Sequence, residues 1–282
     1  MALVINTNVS SLTAQRHLHA SRTDLQSAME RLSSGKRINS AMEDAAGLTI
    51  AHSLETKVKS LETAARNAND AISLIHLGEG ALEAVTGMLV RMRELATQAL
   101  NGTYSATDRT NLDAEFQQLN DEITRISDNT YFNGINVIGS TDSLSFQIGY
   151  DSDDSISLTL QDMASTVIGD ISASSDGSDV LDDQLVTTVA NAGDALDSVD
   201  AAILEVDSYR VSMGAVANRL NHTVENLYSR IEQQTAAKSR ILDADYAVES
   251  ANLARAQVLQ QAGTAMLAQA NASTQNVLSL LK

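Results

Sequence analysis

Apolar residues step along this chain in alternating intervals of four and three. The run goes from Leu185 through Val189, Ala192, Leu196, Val199, Ile203 and Val206, past Arg210, then through Met213, Ala217, Leu220, Val224 and Leu227 to Ile231. Arg210 alone breaks the apolar rule. This spacing keeps one stripe on one face of a helix of about thirteen turns, at ~3.6 residues per turn. A partner pattern occupies the first half of the chain. Leu54, Val58, Leu61, Ala65, Ala68, Ile72 and Ile75 keep the rhythm, which resumes at Leu82, Val85, Leu89, Met92, Ala96 and Ala99. Helices of this length suit coiled coils and helical assemblies.

The rest of the chain divides by changes of period. Leu18, Leu25, Met29 and Leu32 predict a first helix over about Ser10 to Leu32. Ser33 to Ser40, rich in small and turn-forming residues, reads as a linker before a long helix from about Asp44 to Ala99. Gly78 and Gly80 fall inside that helix without a proline and predict a softened position, not an end. Asn101-Gly102-Thr103-Tyr104 turns the chain. Ser105 with Asp108 then resembles a capping box, and Leu112, Phe116, Leu119, Ile123 and Ile126 mark a third helix. Beyond Asp128 the period becomes two. Phe132-Asn133-Gly134-Ile135 carries a hairpin signal; Leu144, Phe146 and Ile148 alternate with polar residues, as do Ile156, Leu158 and Leu160, with Gly149 to Ser155 as the loop of a second hairpin. Ser172 to Asp183, rich in Ser, Asp and Gly, is expected to be an exposed connection. A last helix is expected over about Asp245 to Leu281, with Leu267, Ala270, Thr274, Val277 and Leu281 in step. The fold class is mainly α: long antiparallel coiled-coil or helical-bundle rods from both termini, with a small central β-hairpin region.

Composition sharpens this picture. Hydrophobic residues make up 43% of the 282 positions but aromatics only 3%, so alanine supplies much of the apolar content. At roughly 25 cal/mol per Å², alanine seams recover little against backbone ordering of about 1–2 kcal/mol per residue. Either the ends are disordered alone, or they gain stability by packing against other copies. The absence of proline fits uninterrupted helices, and the absence of cysteine excludes disulfides and thiolate chemistry. The start of the chain lacks a basic segment followed by an apolar run, so no ordinary secretory signal is expected. No stretch is apolar enough to predict membrane insertion. Sixteen of the 36 acids lie between Ile126 and Tyr209, where there is no Lys or Arg, while the remainder is close to neutral. That distribution argues against nucleic acid as a partner.

Candidate chemistry finds no foothold. Ser34-Gly35-Lys36 looks like part of a phosphate loop, but Glu30 and Arg37 stand where Gly and Ser or Thr are required. Asp151-x-Asp153-x-Ser155 begins like a calcium loop, yet Ile156 and Asp162 occupy positions six and twelve. The five histidines lack metal-ligand spacing. No catalytic residue, cofactor site or metal site is expected, and the chain does not read as an enzyme.

Several motifs in order resemble bacterial flagellin, the subunit of the flagellar filament. At the N-terminal side they are Ile5-Asn6-Thr7-Asn8, Leu32 to Ala41 (Leu-Ser-Ser-Gly-Lys-Arg-Ile-Asn-Ser-Ala), Asp44-Ala45-Ala46-Gly47-Leu48, Ala65 to Asp70, Glu79 to Leu82 and Arg93-Glu94-Leu95-Ala96. At the C-terminal side they are Gly214-Ala215-Val216, Ala244 to Glu249, Gln260 to Gly263, Leu267 to Asn271 and Val277 to Leu281. The resemblance covers about Met1–Ile138 and Leu185–Lys282. One departure is Ala272 to Asn276, where many relatives carry Leu-Pro; here a continuous helix is expected.

The resemblance implies a secreted, self-assembling structural protein of swimming motility, located in the extracellular flagellar filament. It divides the chain into a terminal coiled-coil domain (1–40 and 238–282, the inner tube), a helical rod domain (41–138 and 184–237, the outer tube) and a minimal exposed insert (139–183). The assembly seams are expected at Leu18, Leu25, Leu32, Leu267, Ala270, Val277 and Leu281. Implied partners are many copies of the same chain, the flagellar type III export apparatus, an export chaperone, the filament cap and the host Toll-like receptor of innate immune recognition. The receptor-recognition residues carry over to Arg91, Leu95 and Glu115, with Val90 where many receptor-activating members have Gln. Two alternatives remain at this stage: the hook–filament junction protein and, from another class, a signalling coiled-coil rod.

Overall fold

In the computed structural model, residues 7–169 and 180–280 are described, the last eight of these (273–280) by backbone alone. The elements are α1 (Val9–Ser34), α2 (Ala45–Ala99), α3 (Ala106–Asn129), the strand pair β1 (Tyr131–Phe132) and β2 (Ile135–Asn136), the pair β3 (Ser143–Gln147) and β4 (Ser155–Thr159), a single 3-10 turn (Leu181–Asp183), α4 (Val189–Leu242) and α5 (Tyr246–Leu280). Each helix starts on a side chain that accepts from the orphan N–H groups of its first turn. Asn8 accepts from Ser11, Asp44 from Gly47, Ser105 from Asp108, Thr188 from Asn191, and Asp245 from Ala247. At α3 the box is reciprocal, since Asp108 also accepts from the Ser105 N–H at 3.0 Å.

The chain forms two units, one of residues 59–231 and one of residues 1–58 with 232–282. In the first, the stripe on α4 faces inward as its spacing predicts: Ala192, Val199, Val206, Met213 and Leu220 are buried, and the positions between them half-buried. They meet Leu82, Leu89 and Met92 of α2, Phe116 and Ile123 of α3, and Val137, Ile156 and Leu158 of the hairpin region in one core. Arg210, the polar member of the stripe, is half-buried and reaches Glu79 of α2 at 4.0 Å. The first hairpin turns on Asn133 (φ 48°) and Gly134 (φ 84°), the left-handed pair that a two-residue turn demands. The second pairs Leu144 with Leu158 and Phe146 with Ile156.

Three expectations change. Leu185 is 43% exposed and precedes the helix, which begins only after Thr188. Here Val186 is buried and donates its N–H to Asp113 of α3 at 2.8 Å, and this tether holds the backbone out of helical geometry. Gly78 has a packing reason within an uninterrupted α2. A Cβ there would lie 2.7 Å from Met213 Cε and 2.9 Å from Val137 Cγ1, so glycine lets α4 and the hairpin segment approach closely. The Ser172–Asp183 connection lies largely outside the described residues, but its end is not exposed throughout. Leu181 is buried, and Asp182 accepts from Asn120 of α3 at 2.9 Å.

In the second unit α1 and α5 run antiparallel. Asn8 donates to the Ala270 carbonyl and Ser11 to Asn271 at one end, and Arg31 pairs with Glu249 at 3.3 Å near the other. The linker after α1 is ordered by pairing with the chain after α4: Ala244 N–H donates to the Gly35 carbonyl at 2.9 Å, and the Arg37 guanidinium caps the Ile241 carbonyl at 2.7 Å. Ile38, Ala51 and Leu242 close a small apolar cluster beside it. Asn39 N–H donates to Glu43 at 2.7 Å; together with Arg31, and against the cost of desolvation, this holds the Glu43 carboxyl below the usual carboxylate range.

Candidate assembly surface

The α1/α5 pair is built from side chains too small to cover each other. Among the described residues its buried apolar side chains are few: Leu18, Ala28 and Ala256. Gly263 lies directly over Leu18, so close that an added Cβ would sit 3.3 Å from Leu18 Cδ1. Large apolar side chains on the same two helices point outward, with Val9 66% exposed, Val258 63% and Met266 64%. A groove of about 750 Å³ runs along the pair, lined among others by Val9, Ala14, Leu259, Ala262, Gly263 and Met266.

Charge makes this surface unusual. Residues 1–15 and 256–281 contain no Asp, Glu, Lys, Arg or His. A helix that stays in water ordinarily carries a charged face. An exposed apolar face without charge marks a surface that becomes covered, because covering it strands no ion. Among the described residues no helix is long and apolar enough to cross a membrane.

Of the anticipated seam residues, Leu18 packs inside the pair, and Leu25, Leu32, Leu267 and Ala270 are half-buried. Val277 is described by backbone only, and Leu281 lies outside the described residues. The outward set of Val9, Leu12, Val258, Leu259 and Met266 was not singled out from the sequence. The signal that could have found it is the missing charge at both ends. The backbone of α5 continues through Ala272–Asn276, as the missing proline implied.

The other candidates resolve into local structure. Gly35 (φ 70°) is the left-handed cap of α1, its N–H bound to the Arg31 carbonyl at 2.9 Å, and so ends a helix instead of cradling a phosphate. Asp151 and Asp154 close the turn between β3 and β4, and Ile156 is a buried strand residue. Among the described residues no His, Asp or Glu cluster could hold a metal. Arg91 joins Glu115 at 2.9 Å across α2 and α3, and also Glu94 at 2.9 Å, with all three side chains about half-exposed. Its hydrogen bonds to Glu94 and Glu115 hold the Arg91 guanidinium above its ordinary range. Leu95 is 1% exposed and belongs to the core, so it offers no surface of its own.

A family model described as the bacterial flagellin N-terminal helical region matches residues 5–142, and one for the bacterial flagellin C-terminal helical region matches residues 196–281. Over 281 residues the chain is 41% identical to the flagellin of Halalkalibacterium halodurans, which covers 99% of this chain and 100% of that relative. It is 36% identical to flagellin B of Vibrio anguillarum, with all of both chains covered. A solved Vibrio parahaemolyticus protein, described as flagellar hook-associated, superimposes with a TM-score of 0.60 at 13% identity, covering 71% of this chain and 100% of that one. At that identity the likeness speaks to the fold alone.

Proposed function

The chain belongs to the bacterial flagellin family, and from that premise we propose that its uncharged ends are the faces through which copies pack. Flagellins are structural subunits of the flagellar filament, not enzymes, and the filament is extracellular. The observation that carries the finer reading is the α1/α5 pair, apolar outside and free of charge at 1–15 and 256–281. A second copy with the same composition covers such a face without burying an ion.

In this reading the terminal segments 1–40 and 238–282 line the inner tube, 41–138 with 184–237 forms the outer tube, and 139–183 projects outward with its acids. Delivery runs through the flagellar type III apparatus with an export chaperone, and the filament cap receives the subunits. Small side chains along the seams permit slight sliding between subunits. The test is brief proteolysis of dilute subunit and of filament, followed by mass mapping. The subunit is expected to lose residues before about Ser40 and after about Ala237, and the filament to keep them. Ends that resist cleavage equally in both would overturn the reading.

A second role rests on the exposed Arg91–Glu115 pair. We assign to it recognition by the host Toll-like receptor, with buried Leu95 holding the face from beneath. Arg91→Ala should reduce receptor-reporter activation by filament-free subunit about tenfold, a loss of one charged contact. An unchanged response would remove the assignment.

A further inference from the structure

One side chain in the α1/α5 groove differs in kind from its surroundings. His17 is exposed on α1 and lines the groove. Its neighbours on the same helix face, three and four residues away, are Thr13, Ala14, Ala20 and Ser21, none of them ionisable. From α5 it is faced by Leu259, Ala262, Gly263 and Met266, again without a titratable group. The other titratable residue of the groove is Asp24, two turns away, about 10 Å along the axis at ~1.5 Å per residue. Asp24 also lines the adjoining polar recess, together with Arg31, Arg255 and Glu249. Arg16, His19 and Arg22 of α1 do not line the groove.

We propose that His17 makes filament assembly sensitive to protons: a second copy can cover the groove while His17 is neutral, and the protonated ring opposes covering. The inference rests on the reading that copies pack through this face. In the free subunit the exposed ring keeps its hydration in either charge state. Under a covering helix the cation loses its water, and no carboxylate of its own chain stands within a turn to replace it. The assembled state then binds fewer protons than the free one, and linkage requires that acid favour dissociation. The effect is read between about pH 8 and about pH 5.5 and is expected to reach about tenfold in critical concentration at the acid end. Carboxylates, with ordinary values near about 4, stay charged across that window.

The experiment measures the critical concentration of the full-length chain by pelleting, with electron microscopy of the pellets, between about pH 8 and pH 5.5. Wild type should show a rise of about tenfold toward acid, His17→Gln a flat profile, and His19→Gln the wild-type profile. His17→Lys, charged throughout, should hold the acid-level concentration even at about pH 8. A His17→Gln protein that keeps the wild-type slope overturns the inference and leaves the packing reading intact. So does assembly that improves in acid, since a neighbour's carboxylate would then be meeting the ring. If none of these proteins forms filaments at any pH, the packing reading falls, and this inference with it.

Discussion

Residues 59–231 and the paired ends use apolar side chains in opposite ways. In 59–231 most of the large ones are covered, with Leu82, Leu89, Met92, Phe116, Ile123 and Tyr209 each 1% exposed or less, although Leu204 and Val211 of α4 stay outside at 71% and 72%. At the ends the covered positions are few, Leu18, Ala28 and Ala256 among them, while Val9, Leu12, Met29, Val258, Leu259 and Met266 are at least half exposed. Fully burying one large aliphatic side chain is worth about 1.5–3 kcal/mol. The first region has taken that stabilisation within one chain; the ends have left it to be realised when they are covered. Charge follows the same division. The ends carry none over 1–15 and 256–281, whereas in 59–231 surface pairs such as Arg93–Asp200 link α2 to α4.

The sharpest way to break this comparison is a charge on the outward face. Met266→Glu should leave the subunit's unfolding within about 0.5 kcal/mol of wild type, because that side chain is 64% exposed there. Under a neighbouring copy it would bury an unpaired carboxylate at about 3–5 kcal/mol, raising the critical concentration a hundredfold or more. Pelleting with a parallel urea titration reads both quantities, and assembly at the wild-type concentration would end the comparison. The mirror experiment is Phe116→Ala, which empties a fully buried site in the core of 59–231. It should cost about 3–5 kcal/mol in urea unfolding. Once the subunit is folded, its critical concentration should match wild type.

The two regions were also unequally legible in the sequence. The rhythm of three and four located α2 and α4 because their stripes meet large partners, and Asn133-Gly134 located a hairpin because only that turn needs two left-handed residues. Ser105 and Asp108 gave the start of α3 to the residue. What stayed hidden depends on contacts between segments distant in sequence. The tether from Val186 to Asp113, and the burial of Leu181 in a Ser-, Asp- and Gly-rich stretch, have no local signature. Tyr209 falls between stripe positions, yet its hydroxyl reaches the Val137 carbonyl at 3.2 Å, and burial pushes its pKa up to about 12. At the ends the difficulty was different. Small residues all round a helix leave inside and outside equally apolar, so the spacing of Leu18, Leu25 and Leu32 did not reveal that Val9, Val258 and Met266 face outward.

Two glycines of α2 sharpen the contrast on a smaller scale. Gly78→Ala would press its Cβ onto Met213 and Val137, an overpacking cost of about 1–3 kcal/mol. Only part of this is offset by the helix preference of alanine, about 1 kcal/mol. Nothing lies within 4 Å of a Cβ added at Gly80, so the same exchange there should stabilise by about 1 kcal/mol. The measurement is the sign of the change in unfolding free energy at two positions separated by a single residue, Glu79. Destabilisation at both would mean that the close approach of α4 to Gly78 is not what selects glycine in this helix.

The smallest effect belongs to the cap of α3, and it tests whether a local device in 59–231 leaves assembly untouched. Ser105 accepts from Asp108 N–H at 3.2 Å while its own hydroxyl and N–H donate to the Asp108 carboxylate at 2.7 and 3.0 Å. The side-chain hydrogen bond from Ser105, then the backbone one, holds the Asp108 carboxyl below its usual range. Ser105→Ala should cost about 1 kcal/mol at neutral pH, the usual value of such a cap. Because the carboxyl titrates lower in the folded chain than in the unfolded one, its part of the stabilisation is complete above about pH 3.9 and is lost as pH falls through the folded value. The gap between wild type and Ser105→Ala should therefore narrow in acid, and Asp108→Asn should abolish the narrowing. At neutral pH the critical concentration of Ser105→Ala should equal that of wild type, since nothing about the uncharged ends has changed. If the cap variant assembled poorly while folding well, order in 59–231 and covering of the ends would be coupled, and the two regions could not be treated as separate solutions.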